Sequence, residues 1–272
     1  MHTVLLASAI VAFSVVLSVL GLLATRRLVK PSTLRQHHDV AGFLIAIVGL
    51  IYGVLQAFVV FVVWTQYQNA SAAVENEANC ATDIYHISYG FPAEQQTKIR
   101  TDIRQYVGDV VTYEWPSMQQ GKPSPIAERS LDRLWYTFST IDPTTPRENT
   151  LYQEGITRLN DLGNSRRERL LSLKNSVPDV MWFVLVFGGL ATIAFTYFFG
   201  AENGRAQALM TALLTALIAL VLFLIAAIEY PFGSYVHIQP DAFNHVTSRF
   251  TDIETHEKER VVEKTKTRPN PN

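Results

Sequence analysis

Charge is missing where a water-soluble protein would carry it. Four 21-residue runs, residues 4–24, 43–63, 180–200 and 208–228, contain no Asp, Glu, Lys, Arg or His. At about 1.5 Å of rise per residue, each is long enough as a helix to cross a hydrocarbon core of roughly 30 Å. The absence also excludes functions. A charge at the bilayer centre costs about 2.5–3.5 kcal/mol on the mildest scale, so chains keep one there mainly to use it. A proton pump, a voltage sensor or a transporter with a midplane carboxylate is therefore not expected. A passive pore lined by neutral groups is still open.

Other absences narrow the chemistry. Cys80 is the single cysteine, so no intrachain disulfide forms, and its neighbour His86 has no third partner for thiol catalysis. No glycine-rich phosphate loop, nucleophile elbow or zinc-type spacing occurs. His37-His38-Asp39 reads as ordinary loop rather than a metal site. The chain is not read as an enzyme, and no cofactor or metal is expected. A net charge of −1 gives no case for a nucleic-acid partner. Alternating strand patterns are missing too, so the fold class is all-α: four transmembrane helices with a helical extramembrane domain inserted between the second and third spans. Met1-His2-Thr3 lacks the basic start of a signal peptide, and the apolar run after it is too long for one. It reads as a retained span.

The chain divides into residues 1–68 (two spans), 69–178 (the helical domain), 179–230 (two spans) and 231–272 (an interfacial segment and a disordered tail). The second span's periodicity continues past the apolar run through Ala70, Val74, Glu77/Ala78, Ala81 and Tyr85, so its helix is expected to extend into the domain. Ile99, Ile103, Tyr106 and Val110 mark the face of the next helix, which Trp115-Pro116 should stop. Ser124 caps another. Thr145-Pro146-Arg147-Glu148 is a capping box, followed by Leu151, Ile156, Leu159 and Leu162, with Gly163-Asn164 a candidate interruption.

Within the second span, Gly42, Ala46, Gly49, Gly53 and Gln56 recur at spacings of four and three, with Tyr52 beside them. Gly49 and Gly53 have the small-x-x-x-small spacing that lets helix backbones approach closely in lipid. The first span has a matching stripe, Ala7, Val11, Ser14, Ser18 and Gly21. Two readings follow: these faces pack together, within or between subunits, or the second-span stripe faces a water-filled pore. Beyond the span, Glu75 and Glu77 are either solvated helix residues or, in a symmetric oligomer, acidic rings at a pore mouth. Trp64, Trp182, Tyr230 and Phe232 are placed to anchor the chain at the membrane interface.

The segment "GFLIAIVGLIYGVLQAFVVFVVWTQYQNASAAVENEA", the helix end "YVGDVVTYEWPSMQQG" and the stretch "PFGSYVHIQPDAF" together resemble the bestrophin-like family of bacterial membrane proteins, over most of residues 42–245. The resemblance implies kinship with bestrophins, oligomeric anion channels with four spans, a pore-lining second span and a large helical region after it. It implies an oligomeric ion channel with a central pore along the second span. The implied partners are the lipid bilayer, further copies of the chain and inorganic ions. The other class of function is a membrane-anchored interaction or sensing protein whose helical domain is the working part.

Orientation in the cell membrane is read from charge. Arg26, Arg27, Lys30 and Arg35 follow the first span, whereas residues 69–97 and 229–248 contain no Lys or Arg. The positive-inside rule puts the first loop in the cytoplasm and the helical domain outside; Arg166, Arg167, Arg169 and Lys174 oppose this but sit at the end of a long loop, where the rule is weak. Bestrophins place their helical region in the cytoplasm, the opposite side. A reporter active only outside the cytoplasm is expected to work when fused after Gln120 and to fail after Thr33. The reverse pattern places the domain inside.

Overall fold

The computed structural model describes residues 2–28, 38–198 and 203–266. Among these residues, every regular element is helical: α1 (His2–Leu28), α2 (His38–Ile87), α3 (Ala93–Asp109), α4 (Trp115–Gln119), α5 (Pro125–Ser139), α6 (Pro146–Leu171), α7 (Asp179–Tyr197), α8 (Gly204–Ile228) and α9 (Asp241–Lys266). Among the described residues, four helices are long and apolar enough to cross a membrane: α1, α2, α7 and α8. The expected spans are thus present. Lys30, Arg35 and His37 lie outside the described residues.

The chain forms two compact units. One comprises Met1–Tyr67, Asn175–Tyr230 and Ser234–Val236; the other comprises Gln68–Lys174, Pro231–Gly233 and His237–Asn272. The long helix α2 contributes to both.

In the membrane unit, α1 lies along α8 and touches α7. Tyr197 of α7 donates to the Ser18 carbonyl at 2.9 Å, and its ring fills the space a side chain at Gly21 would need. Within the protomer the first-span stripe therefore meets the third and fourth spans. Where α7 and α8 meet, Gln207 donates to the Thr196 carbonyl at 2.9 Å and the Thr196 and Thr211 hydroxyls lie 3.0 Å apart. Asn203 caps α8 by accepting from the Arg205 and Ala206 amides. Polar groups in lipid need such internal partners, because no water is there to supply them. Val59 and Val63 of α2 pack with Val177, Leu185, Ile225 and Ile228 to form this unit's apolar core.

The helical unit has its own core. Ser124 caps α5 by accepting the Ile126 amide, and Thr145 caps α6 by accepting the Glu148 amide. Glu148 in turn accepts from the Thr144 amide at 2.8 Å, one residue farther back than a standard box. Gly163 does not interrupt α6. Nor does Trp115-Pro116 stop the preceding helix: α3 passes through a π-helical turn, Val110–Glu114, straight into α4. That segment ends at Gly121, whose φ of 74° is open to glycine and strained for other residues.

The tail is the largest departure from expectation. Residues 231–272 were expected to form an interfacial segment and a disordered tail, yet Asp241–Lys266 is a helix. Phe243, Val246, Phe250 and Ile253 recur at spacings of three and four and are buried in the helical unit. Phe250 stacks on Tyr85, ring centres 4.3 Å apart. Arg100 and Arg104 reach Glu257 and Glu254 at 2.8 and 2.7 Å. The polar surface of α9 hid this apolar stripe. Phe250→Ala is expected to destabilise the helical unit by about 3–5 kcal/mol. Limited trypsin digestion, followed at Arg249, should show the helix opening earlier than in wild type.

Candidate functional site

The second-span stripe is split by the structure. Tyr52 and Gln56 face inward: the Tyr52 hydroxyl donates to the Leu185 carbonyl at 2.8 Å, and Gln56 donates to the Tyr52 hydroxyl at 3.1 Å. The Tyr52 ring lies so close to Gly188 and Gly189 that a Cβ on either would collide with it at 2.8 Å. The glycines that admit a close neighbour are therefore on α7, in "FGGL", a pair the second-span pattern did not point to. Gly49 and Gly53 instead face open space, with nothing within 4 Å of a Cβ built on either. Ala46 is exposed and Gly42 half-buried. Tyr52 is thus the hydrogen-bonding pin between α2 and α7 and Gln56 braces it from within α2, on the buried edge of a band whose other edge, at Gly53, is exposed.

The acidic candidates separate in the same way. Glu75 is exposed and borders a cavity of about 750 Å³ in the helical unit, shared with Asp241, His245, Arg249 and Asp252. Glu77 is fully buried and ion-paired. This corrects its assignment to a pore mouth or a solvated surface. Its carboxylate accepts from Arg169 Nε at 2.7 Å and Nη2 at 2.8 Å, and from the Tyr106 hydroxyl at 2.5 Å. Arg169 Nη2 also reaches Glu114 at 2.7 Å, and Arg166 holds the other Glu114 oxygen at 2.7 Å. Two carboxylates and two guanidiniums thus balance in one buried network. The Arg169 guanidinium lies between the rings of Trp115 and Phe243, at 5.7 and 5.8 Å.

Burial pushes the Glu114 carboxyl up, but the Arg169 and Arg166 guanidiniums outweigh it and hold the group below the usual carboxylate range. Burial likewise opposes the charge on Arg169, and Glu77 and Glu114 more than restore it. Tyr106 is held well above its ordinary value by burial and by the Glu77 carboxylate. A saturated, charge-balanced network of this kind organises structure; it has no spare group for proton transfer. Two further buried carboxylates tie α3 to α5, Asp102 accepting from Thr137 at 2.6 Å and Asp109 from Ser130 at 2.5 Å.

Sequence reasoning treated Arg166 and Arg169 as membrane-topology charges. A signal was present: they continue the inward stripe Leu159, Leu162 at spacings of four and three, just as Glu77 interrupts the stripe of Val74, Ala81 and Tyr85. Charges on apolar stripes imply buried partners.

The aromatic anchors also differ among themselves. Trp64 and Tyr230 are exposed, and Trp64 stacks with Tyr67 at 6.1 Å. Trp182 is half-buried and donates to Glu229, which also accepts the Val177 amide. Phe232 is no interface anchor: it is buried in the helical unit, edge-on to Trp115 at 5.6 Å.

Comparison with known proteins adds the family. The model of the bestrophin-like domain matches residues 12–243. No curated protein sequence matches the chain. Among solved structures, a point mutant of a bacterial bestrophin homologue from Klebsiella pneumoniae aligns with a TM-score of 0.71 at 11% identity, covering 90% of this chain and 98% of that one. Another structure of that homologue aligns at 0.68 and 12% identity, covering 89% and 97%. At such identities the likeness concerns the fold.

Removing Arg169 tests the network. Arg169→Met should destabilise the helical unit by about 3–5 kcal/mol, because it leaves a buried carboxylate uncompensated. Adding Glu77→Gln should recover most of that loss, since Glu114 keeps Arg166. In wild type, Glu114 contributes stability above the unfolded carboxyl value of about 4.3. That contribution is lost as pH falls through its lower folded value, so the wild-type unfolding midpoint should drop more steeply below pH of about 4 than that of a Glu114→Gln variant.

Proposed function

The chain belongs to the bestrophin-like family, and we propose that it forms a homo-oligomeric, passive ion channel in the cell membrane, with its second span along the pore. The observation that carries this reading is the bare side of α2. Its buried positions in the span are Tyr52, Gln56, Val59 and Val63, which dock it on the rest of its own unit. The opposite side, with Leu50, Val54, Phe58 and Phe61, is left exposed by the described residues of the protomer, and Gly53, at the edge between the two, is exposed with nothing within 4 Å of a Cβ built on it. A helix at the centre of a ring has this requirement: one edge for its own subunit, the rest for neighbours and the axis. Bestrophins use the second span in that way.

The absence of charge within the spans supports passive movement of inorganic ions rather than coupled transport. Glu75, exposed on the same helix beyond the span, is the acidic candidate for the pore mouth. Lipid and further copies of this chain are the remaining partners. The competing reading, an anchored interaction or sensing protein, draws on the helical unit's separate core and buried ionic network.

Ion flux into liposomes holding the purified protein decides between them. Gly53 is exposed and a Cβ built on it meets nothing within 4 Å among the described residues, so each Gly53→Leu chain should fold as before. Wild-type protein is expected to conduct, and Gly53→Leu is expected to change the flux with the oligomer intact. No flux from a well-folded wild-type oligomer would move the function to the helical unit. Flux that ignores Gly53→Leu would take this face off the path.

A further inference from the structure

A second cavity of the helical unit, about 500 Å³ in volume, lies between α5 and α6 and shares only Arg166 with the ionic network. Its charges are sorted by wall. Glu128 and Asp132 come from α5, while Arg167 comes from α6 and Lys174 from the turn that follows. All four side chains are exposed, and no ion pair joins the two walls. Arg167 donates to Asn164 at 3.2 Å; Arg166, which also lines the cavity, is committed to Glu114. The rest of the lining includes Trp135 and Leu171, and Leu171 is 55% exposed, so the site offers an apolar rim beside its charges.

We propose that this cavity binds the headgroup of a zwitterionic phospholipid. The phosphate sits on Arg167 and Lys174, which offer charge-assisted donors to its oxygens. The ammonium sits between Glu128 and Asp132, beside Trp135, whose ring face attracts a cation. The glycerol and the start of an acyl chain cover Leu171. Phosphatidylglycerol fits less well, because it brings the phosphate charge without an ammonium to offset the Glu128 and Asp132 carboxylates. A free zwitterion leaves the apolar part of the site uncovered. The chain itself places a membrane within reach: Lys174 precedes the start of α7 at Asp179 by five residues (179 − 174), a span of at most about 18 Å when extended. The proposal does not depend on ion conduction.

The test uses the full chain in detergent, with bound lipid counted by native mass spectrometry after addition of phosphatidylethanolamine, phosphatidylglycerol or free phosphoethanolamine. Wild type should retain phosphatidylethanolamine over phosphatidylglycerol. Arg167→Ala and Lys174→Ala should each weaken retention of either lipid roughly fivefold, the effect of one cation near a lipid surface. Glu128→Gln with Asp132→Asn should abolish the preference by removing the partners of the ammonium. All four positions are exposed, so the variants should fold. Equal retention of the two lipids by wild type, or unchanged retention by the Arg167→Ala/Lys174→Ala double variant, would overturn the proposal. Binding of free phosphoethanolamine as tight as that of the lipid would overturn the membrane source.

Discussion

A guanidinium buried without water must find negative charge, and the helical unit is arranged around that demand. Arg169 has no exposure, and its partners come from distant parts of the sequence: Glu77 from the long second helix and Glu114 from a π-helical turn. The helix of the C-terminal segment supplies Phe243 against its flat face. Isolated burial of such a charge is prohibitive, whereas a paired and fully hydrogen-bonded set is tolerated. Such a set accepts few alternative arrangements, so each contributing helix has its register fixed by where its charge must be.

The membrane unit meets the same condition with neutral groups. Tyr52, Gln56, Thr196, Tyr197 and Gln207 each bond to a carbonyl or hydroxyl within the unit. Polar side chains in the spans thus act as pins between helices. What the described residues leave uncovered, apart from apolar side chains suited to lipid, includes Gly53 on the second helix. Packing within one chain and the channel reading are therefore two aspects of one division of labour on that helix.

The four spans and the helical class were legible because uninterrupted apolar runs and capping residues are local signals. The site was legible only in part. Spacing put Gln56 and the glycines on one stripe, but a four-three repeat fits a band wide enough to straddle two faces, and tertiary packing decided which positions were covered. Glu77, Arg166 and Arg169 were visible as residues on apolar stripes; their pairing across more than 50 positions had no sequence signature. The helix at the end of the chain was missed because its charged surface outweighed four buried apolar residues in a composition-based judgement.

The π-helical turn at Val110–Glu114 has a bearing on how this chain can change over time. A π turn holds one more residue than the regular helix it interrupts. Removing that residue would leave a smooth helix with all its side chains intact, and by composition the change would look harmless. It would also re-aim the side chains of the turn itself by up to about a quarter of a revolution, and Glu114, which lies in that turn, would lose its aim at both arginines. Substitutions in this turn are tolerable wherever size and polarity suit, but its length is not free. Among descendants of this sequence, the residue count between Tyr106 and Met118 should vary less than the residues themselves.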